Sequence, residues 1–133
     1  MSMMIPANVK IIDWPASTMW FDECGFLCSI SKNYSPATPD EHRYWFDAWR
    51  KLANGKKLCL LVDITEASKV NENSANFVTS NFPDIIKAQA MISDSITTRF
   101  ISNLVLGFKP PKFPMRMFTR ETDARLWLTR YLD

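Results

Sequence analysis

The sequence predicts an α/β fold built on a mixed β-sheet. Three short apolar runs occupy Leu58–Ile64, Ala88–Ser93 and Met115–Thr119, and each is followed by a helix start signal and an amphipathic stretch. Strands that alternate with helices form right-handed βαβ units and a mostly parallel sheet. With 133 residues, of which 47% are hydrophobic, the chain is expected to fold as a single domain over residues 1–133.

The first part of the chain predicts three strands. Val9–Ile12 is a short apolar run that ends before Trp14-Pro15. Thr18–Phe21 and Phe26–Ser31 flank Asp22-Glu23-Cys24-Gly25, a turn whose glycine can take a positive φ. These two runs therefore predict an antiparallel hairpin.

The first helix carries strong start and stop signals. Thr38 is the predicted N-cap, Pro39 occupies the first helical position, and Glu41 completes a capping box. Asn54-Gly55 predicts the C-cap. The apolar stripe at helical spacing consists of Trp45, Ala48, Trp49 and Leu52.

Three further helices are predicted. The second carries Val78, Phe82, Ile85 and Ile86 on one face, and Pro83 must kink or restart it. The third follows Ser93-Asp94-Ser95 and presents Ile101, Leu104, Val105 and Phe108. Thr119 caps the fourth, which turns Ala124, Trp127, Leu128 and Tyr131 inward. The predicted order is β-β-β-α-β-α-β-α-β-α, with about four helices.

Composition argues against several classes of function. A net charge of +2 is too small and dispersed for a nucleic-acid partner, and no apolar run reaches the roughly 20 residues needed for stable membrane insertion. The opening residues do not resemble a secretory signal, and Cys24, Cys28 and Cys59 are interpreted as reduced thiols, so a cytoplasmic location is expected. His42 is the single histidine. We therefore expect no metal site, no cofactor and no enzymatic activity.

The order and spacing of four motifs resemble a known family from about Thr18 onward. They are Trp20-Phe21-Asp22-Glu23-Cys24-Gly25-Phe26, Leu52-Ala53-Asn54-Gly55-Lys56-Lys57, Leu61-Val62-Asp63-Ile64, and Met117-Phe118-Thr119 with Ala124, Trp127 and Leu128. The chain resembles the small bacterial proteins with a SpoIIAA-like, or STAS-type, domain. This resemblance implies a four- or five-stranded mixed sheet with helices largely on one side, and a role as a binding module.

The resemblance also implies a possible phosphorylation switch. Sporulation-type members of the family antagonise anti-sigma factors and are controlled by phosphorylation of a serine where the helix after the central strand begins. Their Asp-Ser-Ser-Gly-like motif is replaced here by Asp63-Ile64-Thr65-Glu66-Ala67-Ser68-Lys69. Ser68 is the nearest counterpart by position, and Ser74 lies closer to the predicted helix start.

Polar residues follow all three predicted parallel strands. Asp63 with Thr65, Asp94 with Ser95, and Thr119 are the binding or switch candidates, because the carboxyl ends of parallel strands share one edge of a sheet. Helix capping is an alternative role for the hydroxyl residues, and bonding to the loop backbone is an alternative role for Asp63.

Aromatic residues on helix 1 suggest an interface. Tyr44 and Phe46 flank the apolar stripe, and exposed aromatic side chains favour a protein interface or a homodimer. Core packing explains at least one of them equally well.

Two functional hypotheses follow from the sequence. The first is a non-catalytic cytoplasmic regulatory module that binds a protein partner, with phosphorylation of Ser68 or a nearby hydroxyl as one means of control. The second is a carrier or sensor of a small apolar or amphipathic ligand held between helices and sheet, which requires a cavity.

Overall fold

A six-stranded mixed sheet forms the centre of the structure, with the strands in the order β1-β2-β3-β4-β5-β6. The computed structural model describes residues 3–34, 38–65, 81–95 and 112–132. The strands are β1 (Ile12–Asp13), β2 (Ser17–Phe21), β3 (Leu27–Ser31), β4 (Leu58–Asp63), β5 (Ile86–Ile92) and β6 (Met115–Phe118). Within these residues the helices are α1 (Pro39–Ala53), a short 3-10 helix (Phe82–Asp84) and α2 (Glu121–Thr129).

The hairpin predicted in the first part of the chain is confirmed. β1, β2 and β3 pair antiparallel, and β3, β4, β5 and β6 pair parallel. Asp22 holds the turn between β2 and β3, because its Oδ1 accepts from the backbone amides of Cys24 and Phe26, each at 3.0 Å. Gly25 has a φ of 91°, the left-handed conformation that glycine adopts without strain.

Both caps of the first helix are also confirmed. Thr38 Oγ1 accepts from the Glu41 amide at 3.2 Å, which satisfies one of the free N–H groups at the helix start. Asn54 is the C-cap in the left-handed conformation, with a φ of 51°, and its amide donates to the Arg50 carbonyl. The following Gly55 continues the left-handed turn, with a φ of 81°.

The prediction of about four helices is not borne out. The described residues contain two α-helices, and the predicted segments at 66–80 and 96–111 lie outside them. The second predicted helix was also placed too far along the chain, because Ile86 begins β5. Phe82–Asp84 forms a single 3-10 turn that contains Pro83, and the Ile85 carbonyl then accepts from the Leu58 amide at 2.8 Å.

The sheet has more strands than the four or five implied by the resemblance. It gains a short edge strand, β1. The two α-helices of the described ranges cover opposite faces of the sheet. On the α2 face, Ala88, Ala90 and Ala124 have no exposed surface, and these small side chains let the helix approach the strands closely. On the α1 face, larger apolar and aromatic side chains fill the space. β4 is buried along its whole length, as expected for a strand covered on both sides.

Candidate functional site

The carboxyl ends of β4, β5 and β6 lie level with one another. Asp63 is paired with Ile92, and Ile92 is paired with Phe118. The residues that follow these strands are therefore brought to one edge of the sheet, which we call the carboxyl edge. The prediction that Asp63, the segment 93–95 and Thr119 share an edge agrees with this register.

Asp63 at the carboxyl edge is fully engaged by the backbone. The residue is 1% exposed, its Oδ2 accepts from the Met3 amide at 2.8 Å, and its Oδ1 accepts from the Thr65 amide at 2.9 Å. A buried carboxylate that accepts two amides is stabilised where it lies and presents little surface to a ligand. Bonding to the loop backbone, the alternative left open by the sequence, is therefore the role seen for Asp63.

The remaining candidates at this edge differ in exposure. Thr65 Oγ1 is buried and has no hydrogen-bond partner among the described residues. The buried Ser93 hydroxyl accepts from the Ser95 amide at 3.2 Å, whereas Asp94 and Ser95 are exposed. Thr119 is exposed as well. Ser68 and Ser74, the candidates for phosphorylation, lie outside the described residues.

Thr119 is not the N-cap of α2, so this prediction is wrong. Arg120 occupies the N-cap position with extended backbone angles, and its carbonyl accepts from the Ala124 amide at 3.1 Å. The helix therefore begins one residue later than the threonine pattern indicates. Arg120 makes no side-chain capping bond, so the helix start carries no sequence signal of the usual kind.

The N-terminal segment reaches the carboxyl edge, a contact that the sequence analysis missed. The Met3 side chain is buried in the core cluster on the α2 face, and its amide bonds Asp63. The neighbouring Met4 is 86% exposed. The apolar Met3-Met4-Ile5 run near the start of the chain is the only signal from which this contact could have been suspected.

A second polar cluster ties the hairpin to α2. Arg125 Nη1 lies 2.6 Å from Asp22 Oδ2, and Arg125 Nε lies 2.7 Å from Glu121 Oε2. Cys28 Sγ donates to the same Asp22 oxygen at 3.5 Å. The guanidinium also stands 5.9 Å from the centre of the Phe26 ring. Asp22 had been predicted only as a turn residue, because its ionic partner lies far away in the sequence.

This cluster determines the chemistry of the Cys28 thiol. Burial, followed by the nearby Asp22 carboxylate, raises the pKa of Cys28 to about 12. Burial lowers the pKa of Arg125, but hydrogen bonds to Asp22 and Glu121 raise it by more, so the guanidinium stays charged. Since the thiolate is the reactive form, Cys28 is a poor nucleophile at neutral pH.

A pocket of about 270 Å³ opens at the opposite end of the sheet, which we call the amino edge. It lies where the ends of α1 and α2 approach the first residues of β4 and β5. Its lysines are Lys56, Lys57 and Lys87. Its apolar lining includes Phe21, Leu52, Leu58, Tyr131 and Leu132. The sequence analysis missed this pocket, although Lys56-Lys57 lay inside one of the motifs of the resemblance.

Comparison with known proteins adds a family and a fold. Residues 19–132 match the family described as a domain of unknown function, DUF7793. The chain belongs to the DUF7793 family. The DUF7793 chain is also similar to an uncharacterised DUF3478 protein from Shewanella loihica PV-4, whose crystal structure is described as having a SpoIIAA-like fold. The alignment has a TM-score of 0.56 and 17% identity, and it covers 96% of this chain and 99% of that one.

These comparisons confirm the SpoIIAA-like fold that the sequence motifs indicated. Among functionally curated proteins, none matches the DUF7793 chain. The family descriptions name no ligand, partner or reaction.

The two interface candidates on α1 of the DUF7793 chain have different environments. Tyr44 is 66% exposed. Phe46 is 6% exposed and packs against Phe82 at 5.8 Å between ring centres, so its interpretation as an interface residue is wrong and core packing, the alternative left open by the sequence, is its role. The buried face of α1 contains Phe46, Trp49 and Ala53. It is rotated by about one residue along the sequence from the predicted stripe.

Tyr44 belongs to a partly exposed aromatic surface, defined here as Trp14, Tyr34, Tyr44 and Trp45. The Tyr44 ring meets Trp45 edge-on at 5.0 Å, and Trp45 lies 4.9 Å from Trp14. Glu41 organises the surface: its carboxylate accepts from the Tyr34 hydroxyl and, at 3.5 Å, from Trp45 Nε1. The hydrogen bond to Glu41 raises the pKa of Tyr34.

The described residues form neither a metal-ligand cluster nor a membrane-spanning helix. No group of three or more His, Cys, Asp or Glu side chains is placed to hold a metal ion in the described ranges. The helices within those ranges are too short or too polar to cross a membrane.

His42 Nδ1 lies 3.0 Å from the Thr38 carbonyl oxygen, at the start of α1.

Proposed function

We propose that the chain is a non-catalytic regulatory module that acts in the cytoplasm by binding a protein partner through the aromatic surface on α1. The supporting observation is the contact of exposed Tyr44 with the neighbouring rings of this surface. Its ring rests edge-on against Trp45, which is held in turn by Trp14 and Glu41. Tyrosine and tryptophan supply a large share of the binding energy at protein interfaces.

Preorganisation strengthens this proposal. A side chain that is already held in one position loses less conformational entropy when a partner binds it. The hydroxyl of Tyr34 and the indole of Trp45 both bond the carboxylate of Glu41, which links two rings of the aromatic surface. A mixed surface of rings and polar tips suits a partner that supplies an apolar pocket with a hydrogen-bonding rim.

The partner proposal can be tested by site-specific photo-crosslinking in the cells that make the protein. A photoreactive phenylalanine analogue at position 44 should capture one partner, whereas the same analogue at Leu126, which is 73% exposed on α2 and lies on the opposite face of the sheet, should not. With the purified pair, Tyr44→Ala should raise the dissociation constant of the complex at least tenfold. Equal capture at both positions, or unchanged affinity of the variant, would reject the aromatic surface.

A homodimer is a separate outcome of the same experiment. Crosslinks that join two copies of the chain at position 44 would make the partner a second copy. Sedimentation equilibrium would then show a dimer that Tyr44→Ala dissociates.

The second candidate function, a carrier or sensor of a small ligand, is favoured by the pocket at the amino edge. The sheet face under α2 is closely packed, since Ala88, Ala90 and Ala124 have no exposed surface. At the amino edge, a pocket of about 270 Å³ opens where the ends of α1 and α2 approach the sheet. Native mass spectrometry of protein purified from its own cells tests this function, because a carrier retains a small molecule and an unoccupied chain gives a bare mass.

A further inference from the structure

The pocket at the amino edge is positively charged. Its described lining contains the three lysines and no aspartate or glutamate. Lys56 and Lys57 form no ion pair with any described residue, in contrast to Lys32, which bonds Asp13. Two neighbouring ammonium groups without a counter-ion create a local positive potential that attracts anions.

Helix capping does not account for these lysines. Basic residues within the last turn of a helix interact with its free carbonyl groups, and Arg50 and Lys51 already occupy that turn of α1. The Arg50 carbonyl accepts from the Asn54 amide, and the Ala53 carbonyl accepts from the Lys56 amide. Lys56 and Lys57 follow the left-handed cap, and their side chains line the pocket.

A β-bulge brings the third lysine into the pocket. Leu58 is paired with Ile86, but the next residue, Cys59, is paired with Ala88. Lys87 is the extra residue of this irregularity, at the start of β5. Bulges redirect the side chain of the extra residue, and that of Lys87 lines the pocket beside the two lysines from the α1–β4 connection.

The walls of the pocket are apolar, and its volume is small. Phe21 and Leu132 are among the large apolar side chains that remain exposed, and both line the pocket. The volume of about 270 Å³ equals about nine water molecules at liquid density. It lies just below the range typical of drug-sized ligands, about 300–1,000 Å³. A short occupant fits this volume.

We propose that this pocket binds a small amphipathic anion, a molecule with one carboxylate or phosphate group and a short apolar body. The acidic group lies among Lys56, Lys57 and Lys87, and the apolar body covers Phe21 and Leu132. The proposal rests on the second proposed function, the carrier or sensor, and specifies the class of its ligand. It is independent of the aromatic surface on α1.

The test is a titration of the full chain, labelled with nitrogen-15, with sodium octanoate, followed by amide chemical shifts. The expected shifts concentrate on Gly25, Lys57, Lys87 and Leu132. Two probes separate the charge from the apolar body: 1-octanol lacks the charge, and inorganic phosphate lacks the tail. Octanoate is expected to bind at least tenfold more tightly than either.

A matched pair of double variants tests the lysines. Lys56→Gln with Lys57→Gln should weaken octanoate binding at least tenfold. Lys51→Gln with Lys112→Gln removes two exposed lysines outside the pocket and should leave the dissociation constant within twofold. Equal urea midpoints for both variants establish that each is folded.

Each other outcome rejects part of the proposal. Equal affinity for octanoate and octanol, or an unaffected Lys56/Lys57 variant, rejects the anion site. Equal affinity for octanoate and inorganic phosphate rejects the apolar subsite and leaves a simple anion site. Shifts confined to another surface reject the pocket. If native mass spectra show a retained small molecule but octanoate causes no shifts, the anion pocket is rejected and the carrier function stands. If no molecule is retained and octanoate causes no shifts, both proposals are rejected.

Discussion

Asp22 and Arg125 are 103 residues apart in the chain and are joined by an ion pair of 2.6 Å between Oδ2 and Nη1. The Asp22 side chain is largely buried, and its other oxygen holds the turn of the β2–β3 hairpin. One carboxylate thus shapes a local turn and attaches that turn to α2. Loss of either partner should therefore affect both elements.

Substitution of Arg125 should destabilise the fold. In Arg125→Met, the Asp22 carboxylate keeps its two backbone amides but loses its cation, so the free energy of unfolding should fall by about 2 kcal/mol. Urea denaturation measures the change. Arg120→Met removes an exposed pair with Asp123 at 3.6 Å and should cost less than about 0.5 kcal/mol. Equal effects of the two variants would show that the Asp22–Arg125 pair contributes no more to the free energy of unfolding than the exposed pair does.

Substitution of Asp63 should release the N-terminal segment. Asp63→Ala leaves the Met3 and Thr65 amides without their acceptor and should lower the free energy of unfolding by about 2–4 kcal/mol. Asp63→Asn keeps one carbonyl oxygen as an acceptor, so its free energy of unfolding should lie between those of Asp63→Ala and the wild type. Hydrogen exchange at the Met3 amide should accelerate in both. Asp47→Ala, at an exposed position on α1, is the control and should change stability by less than about 0.5 kcal/mol.

Stability should decline at alkaline pH because of Cys28. The folded state holds the thiol proton up to a pKa of about 12, whereas an unfolded thiol releases it near a pKa of about 8.5. Between these values the unfolded state binds fewer protons, so the contribution of Cys28 is intact below about pH 8.5 and is lost as the pH rises. Over this range, the free energy of unfolding should fall by up to about 1.4 kcal/mol per pH unit because of Cys28.

Cys28→Ala isolates this contribution. The difference in unfolding free energy between wild type and variant should shrink as the pH rises from 8.5 to 11, and a constant difference would contradict the raised pKa. Alkylation offers an independent check. Exposed Cys24 should react with iodoacetamide at pH 8 while Cys28 remains unmodified until the chain unfolds.

The two aromatic candidates on α1 should respond in opposite ways. Phe46→Ala leaves a cavity in the core beside Phe82 and removes the ring beneath the Arg50 guanidinium, so it should cost about 3–5 kcal/mol. Tyr44→Ala should change stability by less than about 0.5 kcal/mol, because the ring is 66% exposed. Thermal or urea denaturation distinguishes them, and similar losses for both would place Tyr44 in the core as well.

Local signals in the sequence explain which parts of the fold could be predicted. β4 could be located because Leu58–Asp63 is apolar up to its last residue, and α1 could be bounded because Thr38 and Asn54-Gly55 are standard caps. Phe46 was misplaced because four aromatic side chains on one helix leave the direction of the buried face ambiguous by about one residue. α2 was started too early because Arg120 caps it without a side-chain bond.

The candidate sites were less predictable, since they depend on residues far apart in the chain. The carboxyl edge could be foreseen because parallel strands end together. The bond of Asp63 to Met3 spans 60 residues, and the Asp22–Arg125 pair spans 103. The pocket at the amino edge depends on a register shift between β4 and β5 that no short motif records. Contacts of this kind require the folded structure.

The order of the strands has a consequence for synthesis. In the described part of the chain, the strands lie in the sheet in the order in which they occur in the sequence. Each new strand can therefore pair with the one made just before it, and none has to enter between two strands that are already paired. The sheet can grow outward from β1 while the chain leaves the ribosome. The Asp22–Arg125 pair closes only after residue 125 has emerged, so it fastens a sheet that has already been laid down strand by strand.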